Sequence, residues 1–228
     1  MADLGVITIG QAPRTDLTPE LVQWLPGVRL HERGALDGLT HAQIARMSPR
    51  EGEEVLTTRL ADGSSVVIGH DHVLPRMQQA VTELEERGVD AVLLACTGTF
   101  PHFEHRKPLL VPELMIGPGV AALAGRAATV GILVPLPEQR QHPDGKYAAL
   151  AARTVVADAT PYSAQDEGLL AAADDLRAQG AELIVADCIG YSQRMRRLVS
   201  RRAGVPVVLA RSIVARLTAE LLDDGTAA

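Results

Sequence analysis

The chain has 228 residues, enough for one large core or two small ones, and 46% of them are apolar while only 3% are aromatic. A formal net charge of −6 counts against nucleic acid or an anionic membrane as the main partner, but leaves room for a small anion held by local arginines and backbone N–H groups. No apolar run approaches the roughly 20 residues that span a bilayer, and the opening MADLGVITIG has no basic segment before its apolar one, so the sequence predicts a cytoplasmic protein with no membrane partner.

The elements follow in chain order. GVITI (5–9) is a short β-branched run that reads as a buried first strand. TDLTPELVQWL predicts a helix with Thr18 as N-cap and Pro19 at its first position. VRLHERGAL (28–36) is a second strand, and VLTTRLADGSSVVIG (55–69) is a hairpin around an Asp-Gly turn. A helix from Val73 to Arg87 stops at Gly88, and VDAVLLAC is the next strand. KPLLVP then opens a further strand and helix. In the second half, ATVGILV (128–134), TVVADAT (154–160), AELIVADC (181–188) and VPVVLA (205–210) read as strands. Helices are expected over 166–179, ending at Gly180, and over 211–222. The basic run RMRRLVSRR (194–202) reads as a solvated helix face balanced by acidic neighbours. Strands that alternate with helices, and an aliphatic core, predict an α/β fold with parallel sheets covered by helices.

An internal repeat divides the chain. Shifting residues 88–98 by 92 positions places Gly88 on Gly180, Cys96 on Cys188 and Gly98 on Gly190, and Leu84 meets Leu176. GVITIGQAPR and GILVPLPEQ match more weakly at the starts of the two halves. The expectation is two pseudo-symmetric α/β halves, 1–123 and 124–228, with the helix that ends the first half free to cross over, and with an active-site cleft between the halves.

The chain has two cysteines, and both fall at matched strand ends. Ligands of open parallel sheets bind outside the carboxyl ends of the strands. Outward backbone N–H groups there favour an anion and favour thiolate over thiol. Two sulfurs on opposite sides of one carbon, each within about 3.5 Å, would sit on the order of 7 Å apart, too far for a disulfide. That arrangement inverts an acidic carbon without a cofactor. Cys96 and Cys188 are therefore the candidate catalytic pair. Gln11 and Arg14 leave the first strand, and Arg14 is expected to grip a carboxylate with two hydrogen bonds. Glu138 and Gln139 leave the equivalent strand of the second half. Thr97, Gly98, Thr99, Tyr162, Gly190 and Tyr191 complete the expected substrate-binding set. Asp187 precedes Cys188, where its charge would oppose a thiolate. The histidines show no metal-ligand spacing, although His102 and His105 are placed to approach Cys96 and activate it.

ITIGQAPRTDLTPEL, ERGALDGL, LLACTGTFP, VPLPEQ, PYS and DCIGYSQRMR together resemble the AroM family of bacterial proteins over nearly the whole chain. That family is similar to the wider aspartate/glutamate racemase superfamily. The resemblance implies two pseudo-symmetric α/β halves, a paired-cysteine site, and no cofactor. The superfamily's A-C-N-T element is matched by Ala95-Cys96-Thr97 without the Asn, and its second cysteine element is matched only at Cys188. The leading expectation is a cofactor-independent racemase or isomerase for a small anionic metabolite bearing a carboxylate. A single-cysteine nucleophilic isomerase or decarboxylase, and a non-catalytic metabolite sensor, stay open beside it. A homodimer is the default assembly for such a fold.

Overall fold

The computed structural model describes residues 1–141, 144–147, 150 and 152–222. The chain divides into two compact units: Met1–Pro112 together with the described chain from Arg216 onward, and Glu113–Ala215. Among the described residues, no helix is long and apolar enough to cross a membrane.

The first unit runs β1 (Ala2–Thr8), α1 (Thr18–Val22), β2 (Val28–Gly34), α2 (His41–Ala45), β3 (Val55–Arg59), β4 (Ser65–Gly69), α3 (Leu74–Glu86), β5 (Ala91–Leu94) and β6 (Leu109–Leu110). Its four-stranded sheet has the order β2-β1-β5-β6, and all of its pairings are parallel. The strands β3 and β4 form a separate antiparallel hairpin. The second unit runs α4 (Pro112–Ala124), β7 (Thr129–Val134), α5 (Asp144–Tyr147), β8 (Arg153–Asp158), α6 (Glu167–Ala178), β9 (Leu183–Ala186), α7 (Gln193–Ala203), β10 (Val207–Leu209) and α8 (Ala210–Leu222). Its sheet has the order β10-β9-β7-β8, again all parallel. In both sheets, the first strand of the unit lies between the second and the third, and the fourth lies outside the third. The fold is α/β with two parallel sheets of one topology.

The repeat holds at the level of register. Leu4 pairs with Ala91 and Val130 with Leu183, so the third-strand positions that meet the two first strands follow the shift of 92. The helix before each third strand buries the same four positions: Met77, Ala80, Val81 and Leu84 on α3, and Leu169, Ala172, Ala173 and Leu176 on α6. That i, i+3, i+4, i+7 spacing gives each helix one apolar face for its sheet. Space for the face comes from a glycine in each first strand. A Cβ added to Gly5 would lie 2.9 Å from Leu84 Cδ1, and one added to Gly131 would lie 3.2 Å from Leu176 Cδ2. Each helix then leaves the helical conformation through a positive-φ residue, Gly88 at +82° and Gly180 at +87°, which glycine adopts without steric cost. The strands β5 and β9 are buried along their whole length, as strands covered on both faces are.

Two features differ from the sequence expectation. Leu17, not Thr18, is the N-cap residue of α1, and it makes no side-chain cap. The helices α2 and α5, only five and four residues long, were not expected, because one helical turn carries too little periodicity to be read. The units divide at residue 112, with α4 in the second, which is the crossing over that the sequence reading left open. The end of α8 goes with the first, where the Arg216 guanidinium lies 4.3 Å from the ring centroid of Trp24. The basic face of α7 is tied to the helix before it: Arg194 pairs with Asp166 at 2.8 Å and Arg202 with Asp174 at 2.6 Å.

The loop after β1 is braced by a buried charge. Arg14 is only 3% exposed, and its Nε and Nη2 each donate to Asp16 at 2.8 Å. Burial pushes the Asp16 carboxyl up, but the hydrogen bonds and charge of Arg14 outweigh it, and the net shift is downward. A depressed folded value means that this contribution to stability is complete above the unfolded value of 3.8 and is lost as pH falls through the lower folded value. Asp16→Asn leaves the buried guanidinium without its counter-charge and is expected to cost about 3 kcal/mol at neutral pH. Its deficit against wild type should shrink as urea melts are taken below pH 3.8. Leu84→Ala and Leu176→Ala, which hollow matched sites in separate cores, should each cost about 2–5 kcal/mol. Their effects should add in the double variant.

Candidate active site

Cys96 lies two residues beyond the end of β5, and Cys188 two residues beyond the end of β9. The chain leaves the two sheets in the same way. The Ala95 N–H donates to the Ile7 carbonyl at 2.7 Å, and the Asp187 N–H to the Leu133 carbonyl at 2.9 Å. These bonds hold the residue before each cysteine against the first strand. The backbone then turns, and the second N–H after the cysteine points back at its sulfur: Gly98 N to Cys96 Sγ at 3.5 Å, and Gly190 N to Cys188 Sγ at 3.4 Å. A sulfur that accepts an N–H is better satisfied as thiolate than as thiol. Both cysteines are unbridged and buried.

In the first unit the turn is packed from the hairpin. A Cβ on Gly98 would lie 3.1 Å from Leu56 Cδ2 of β3 and 3.6 Å from the Phe100 ring. Thr97 is buried and Thr99 is exposed. The Thr99 carbonyl is taken by His70 Nε2 at 2.8 Å, while His70 Nδ1 meets Asp71 Oδ1 at 2.9 Å. The His70 ring stacks on Phe100 with centroids 5.3 Å apart. His102 and His105 are exposed and lie against each other, with ring centroids 5.5 Å apart. His70, which hydrogen-bonds the cysteine turn, comes from the segment between β4 and α3.

Arg14 and Gln11 differ from expectation in what they hold. The fork of Arg14 is filled by Asp16, and its Nη1 donates to the hydroxyls of Thr8 at 2.9 Å and Thr58 at 3.4 Å. A carboxylate does sit in the predicted clamp, but it is the chain's own. The Gln11 amide spans backbone groups: Nε2 donates to the carbonyls of Leu36 and Leu39, and Oε1 accepts from Ala61 N–H at 3.0 Å. Both residues fix the loop that leaves β1. Asp37 adds to this by accepting from the N–H groups of Gly34 and Ala12, each at 2.8 Å.

In the second unit, Arg211 on the first turn of α8 is 2% exposed. It donates through Nε to the Ile189 carbonyl at 2.8 Å and through Nη2 to the Gly190 carbonyl at 3.1 Å. Tyr162 presses on the same turn, since a Cβ on Gly190 would lie 2.8 Å from its hydroxyl. Tyr191 is fully buried and donates its hydroxyl to the Ala159 carbonyl at 2.6 Å. Burial first, then the negative charge at Cys188 and Asp187, pushes that phenol well above its ordinary range, so it stays a donor. Asp187 does not stand as an isolated charge beside Cys188. Lys146 reaches both of its oxygens, at 2.9 and 3.0 Å, with both side chains largely buried. The neighbouring Tyr147 phenol is pushed up by burial and then by the Asp187 charge. Glu138 and Gln139 lie on a 3-10 turn, Pro137–Gln141, after β7, with Glu138 exposed and Gln139 half-buried. Arg140 on that turn pairs with Asp158 at the end of β8.

Three residues joined to the cysteine turns were not anticipated. Arg211 carried a usable signal, an arginine inside the apolar segment PVVLARSIVA. His70 and Lys146 carried none, because their partners lie 29 and 41 residues away. Among the described residues, no group of three histidine, cysteine or acidic side chains could hold a metal ion.

Structures of the same fold are known. An aspartate racemase from Picrophilus torridus superposes with a TM-score of 0.65 at 13% identity, covering 97% of this chain and 94% of that one. A maleate isomerase from Pseudomonas putida S16 gives 0.60 at 15%, covering 97% and 93%. An arylmalonate decarboxylase gives 0.60 at 15%, covering 98% and 94%. Comparison with curated protein sequences gave no match. At these identities the likeness establishes the aspartate/glutamate racemase-like fold. The family model for AroM protein matches residues 4–222, nearly the whole of the sequence described above, and the chain belongs to the AroM family.

Proposed function

We propose that this chain is a cofactor-independent enzyme of the racemase or isomerase type, acting on a small carboxylate-bearing substrate through Cys96 and Cys188. The carrying observation is the atom-level equivalence of the two cysteines. Each follows a buried third strand by two residues, and each sulfur faces the N–H of the glycine two positions on. Structural packing alone asks for neither a thiol nor its repetition. The shared fold supports the reading, since a racemase, an isomerase and a decarboxylase are each built on it.

The chemistry needs one thiolate and one thiol. The thiolate removes the proton from the carbon next to the carboxylate, so an S–H bond forms as the C–H bond breaks. The electron pair moves onto the carboxylate oxygens as an enediolate. The thiol of the other cysteine then protonates the carbon and is left as thiolate, which inverts the centre and exchanges the roles of the sulfurs. The substrate carboxylate is assigned to the turns that carry Thr97, Gly98, Thr99 and Gly190, with Tyr162 beside them. Glu138 and Gln139 extend the binding surface. Gln11 and Arg14 serve by holding the loop after β1 rather than by gripping substrate. Lys146 offsets the Asp187 charge, which would otherwise oppose a thiolate at Cys188.

The test is solvent deuterium exchange followed by NMR, with aspartate, glutamate, maleate and aryl-substituted malonates as candidate substrates. The expected result is wash-in, or isomerisation, on a small acid, with Cys96→Ser and Cys188→Ser each slower by at least about a hundredfold. Full activity in both serine variants would overturn the pair. Loss in one variant alone, with a covalent substrate adduct in the wild type on the cysteine which that variant lacks, would replace it with a single nucleophile. Tight binding of a small acid with no turnover in any variant would replace it with a sensor.

A further inference from the structure

Each cysteine turn is held from outside by a side chain that hydrogen-bonds its carbonyl groups. After Cys188 that side chain is Arg211, on the carbonyls of Ile189 and Gly190. The repeat that places Pro108 on Pro206 places Glu113 on Arg211, so the first half has no arginine at this position. Its turn is held instead by His70, which reaches the Thr99 carbonyl from the end of the hairpin. We propose that His70 is the positioning residue for Cys96: by fixing the Thr99 carbonyl it holds the turn so that the Gly98 N–H faces the Cys96 sulfur.

The geometry of the ring supports an active role. Nε2 faces a carbonyl oxygen and Nδ1 a carboxylate oxygen, both of which only accept. The ring is therefore held at both of its nitrogen edges. Its surroundings leave little freedom. Phe100 covers one face. The His70 backbone N–H is held by the Glu54 carbonyl at 2.8 Å. Asp71 is the charged group that meets the ring, and it is 81% exposed. Glu53 lies 3.8 Å from His72, two residues further on. Hydrogen bonding of Thr99 by a ring this confined fixes the turn three residues past Cys96.

For catalysis the inference rests on the acid/base role proposed for Cys96, but its test does not. Iodoacetamide alkylation is followed at each cysteine by mass spectrometry as a function of pH, with Cys188 as internal reference. His70→Phe keeps a ring against Phe100 but has no donor, and His70→Gln restores an N–H within reach of Thr99. In His70→Phe, neutral-pH alkylation of Cys96 should slow about three- to tenfold, with its midpoint shifted to higher pH. Cys188 should be unchanged, and His70→Gln should recover most of the rate. An unchanged Cys96 profile in folded His70→Phe would overturn the proposal, as would equal slowing at both cysteines. If His70→Phe does not fold, His70→Gln and His70→Asn are compared instead. Equal Cys96 profiles from these amides of different reach would overturn it, and a slower Cys96 in the shorter one would support it. Absence of any racemase activity would leave this alkylation result standing.

Discussion

The contact between a cysteine sulfur and the amide two residues after it depends on how a parallel sheet ends. Strand hydrogen bonds stop at Ala95 in one unit and Asp187 in the other. The next peptide groups have no strand partner and must turn. A turn that tight aims an N–H at the sulfur only if the residue carrying it is small, since Leu56 on one side and Tyr162 on the other leave no room for a side chain. The rest of each unit keeps that turn in place. The apolar face of α3 or α6 fixes the third strand, a glycine in the first strand lets the helix approach, and a side chain from a distant element hydrogen-bonds the carbonyl groups beyond the cysteine. The sulfur is thus held by several local fits, none of which acts alone.

Much of this is legible in the chain. Apolar runs of four to eight residues mark the strands, because both faces of a parallel sheet are buried. Gly88 and Gly180 mark the helix ends, because only glycine takes that conformation without strain. The 92-residue shift that aligns the cysteines also aligns Leu84 with Leu176, and the structure shows both leucines against the glycine of a first strand. What the chain conceals is which polar side chain meets which. The guanidinium of Arg14 has the right chemistry for a ligand carboxylate, yet Asp16, two residues on, satisfies it. Nothing in local pattern separates those two fates, since the same fork geometry serves both. His70 and Lys146 act across 29 and 41 residues, where neither periodicity nor spacing carries information.

The two halves share topology but not their furnishings. The hairpin β3–β4 has no counterpart among the described residues of the second unit, where the chain passes from β8 to α6 within 158–167. That hairpin supplies Leu56 beside Gly98, Thr58 beside Arg14, and the Arg59 carbonyl to the Gln11 N–H at 3.3 Å. The second unit uses aromatic hydroxyls and Arg211 where the first uses hairpin residues and His70. Two turns of one backbone design therefore present different chemical neighbours.

The first unit is assembled from two stretches that the second unit separates in sequence, with α8 contributing Arg216 against Trp24. A ribosome releases the second unit's strands before it releases the later stretch. The amino-terminal half is therefore translated first yet completed last, and cutting the gene between the two cysteines would yield no fragment containing a whole first unit.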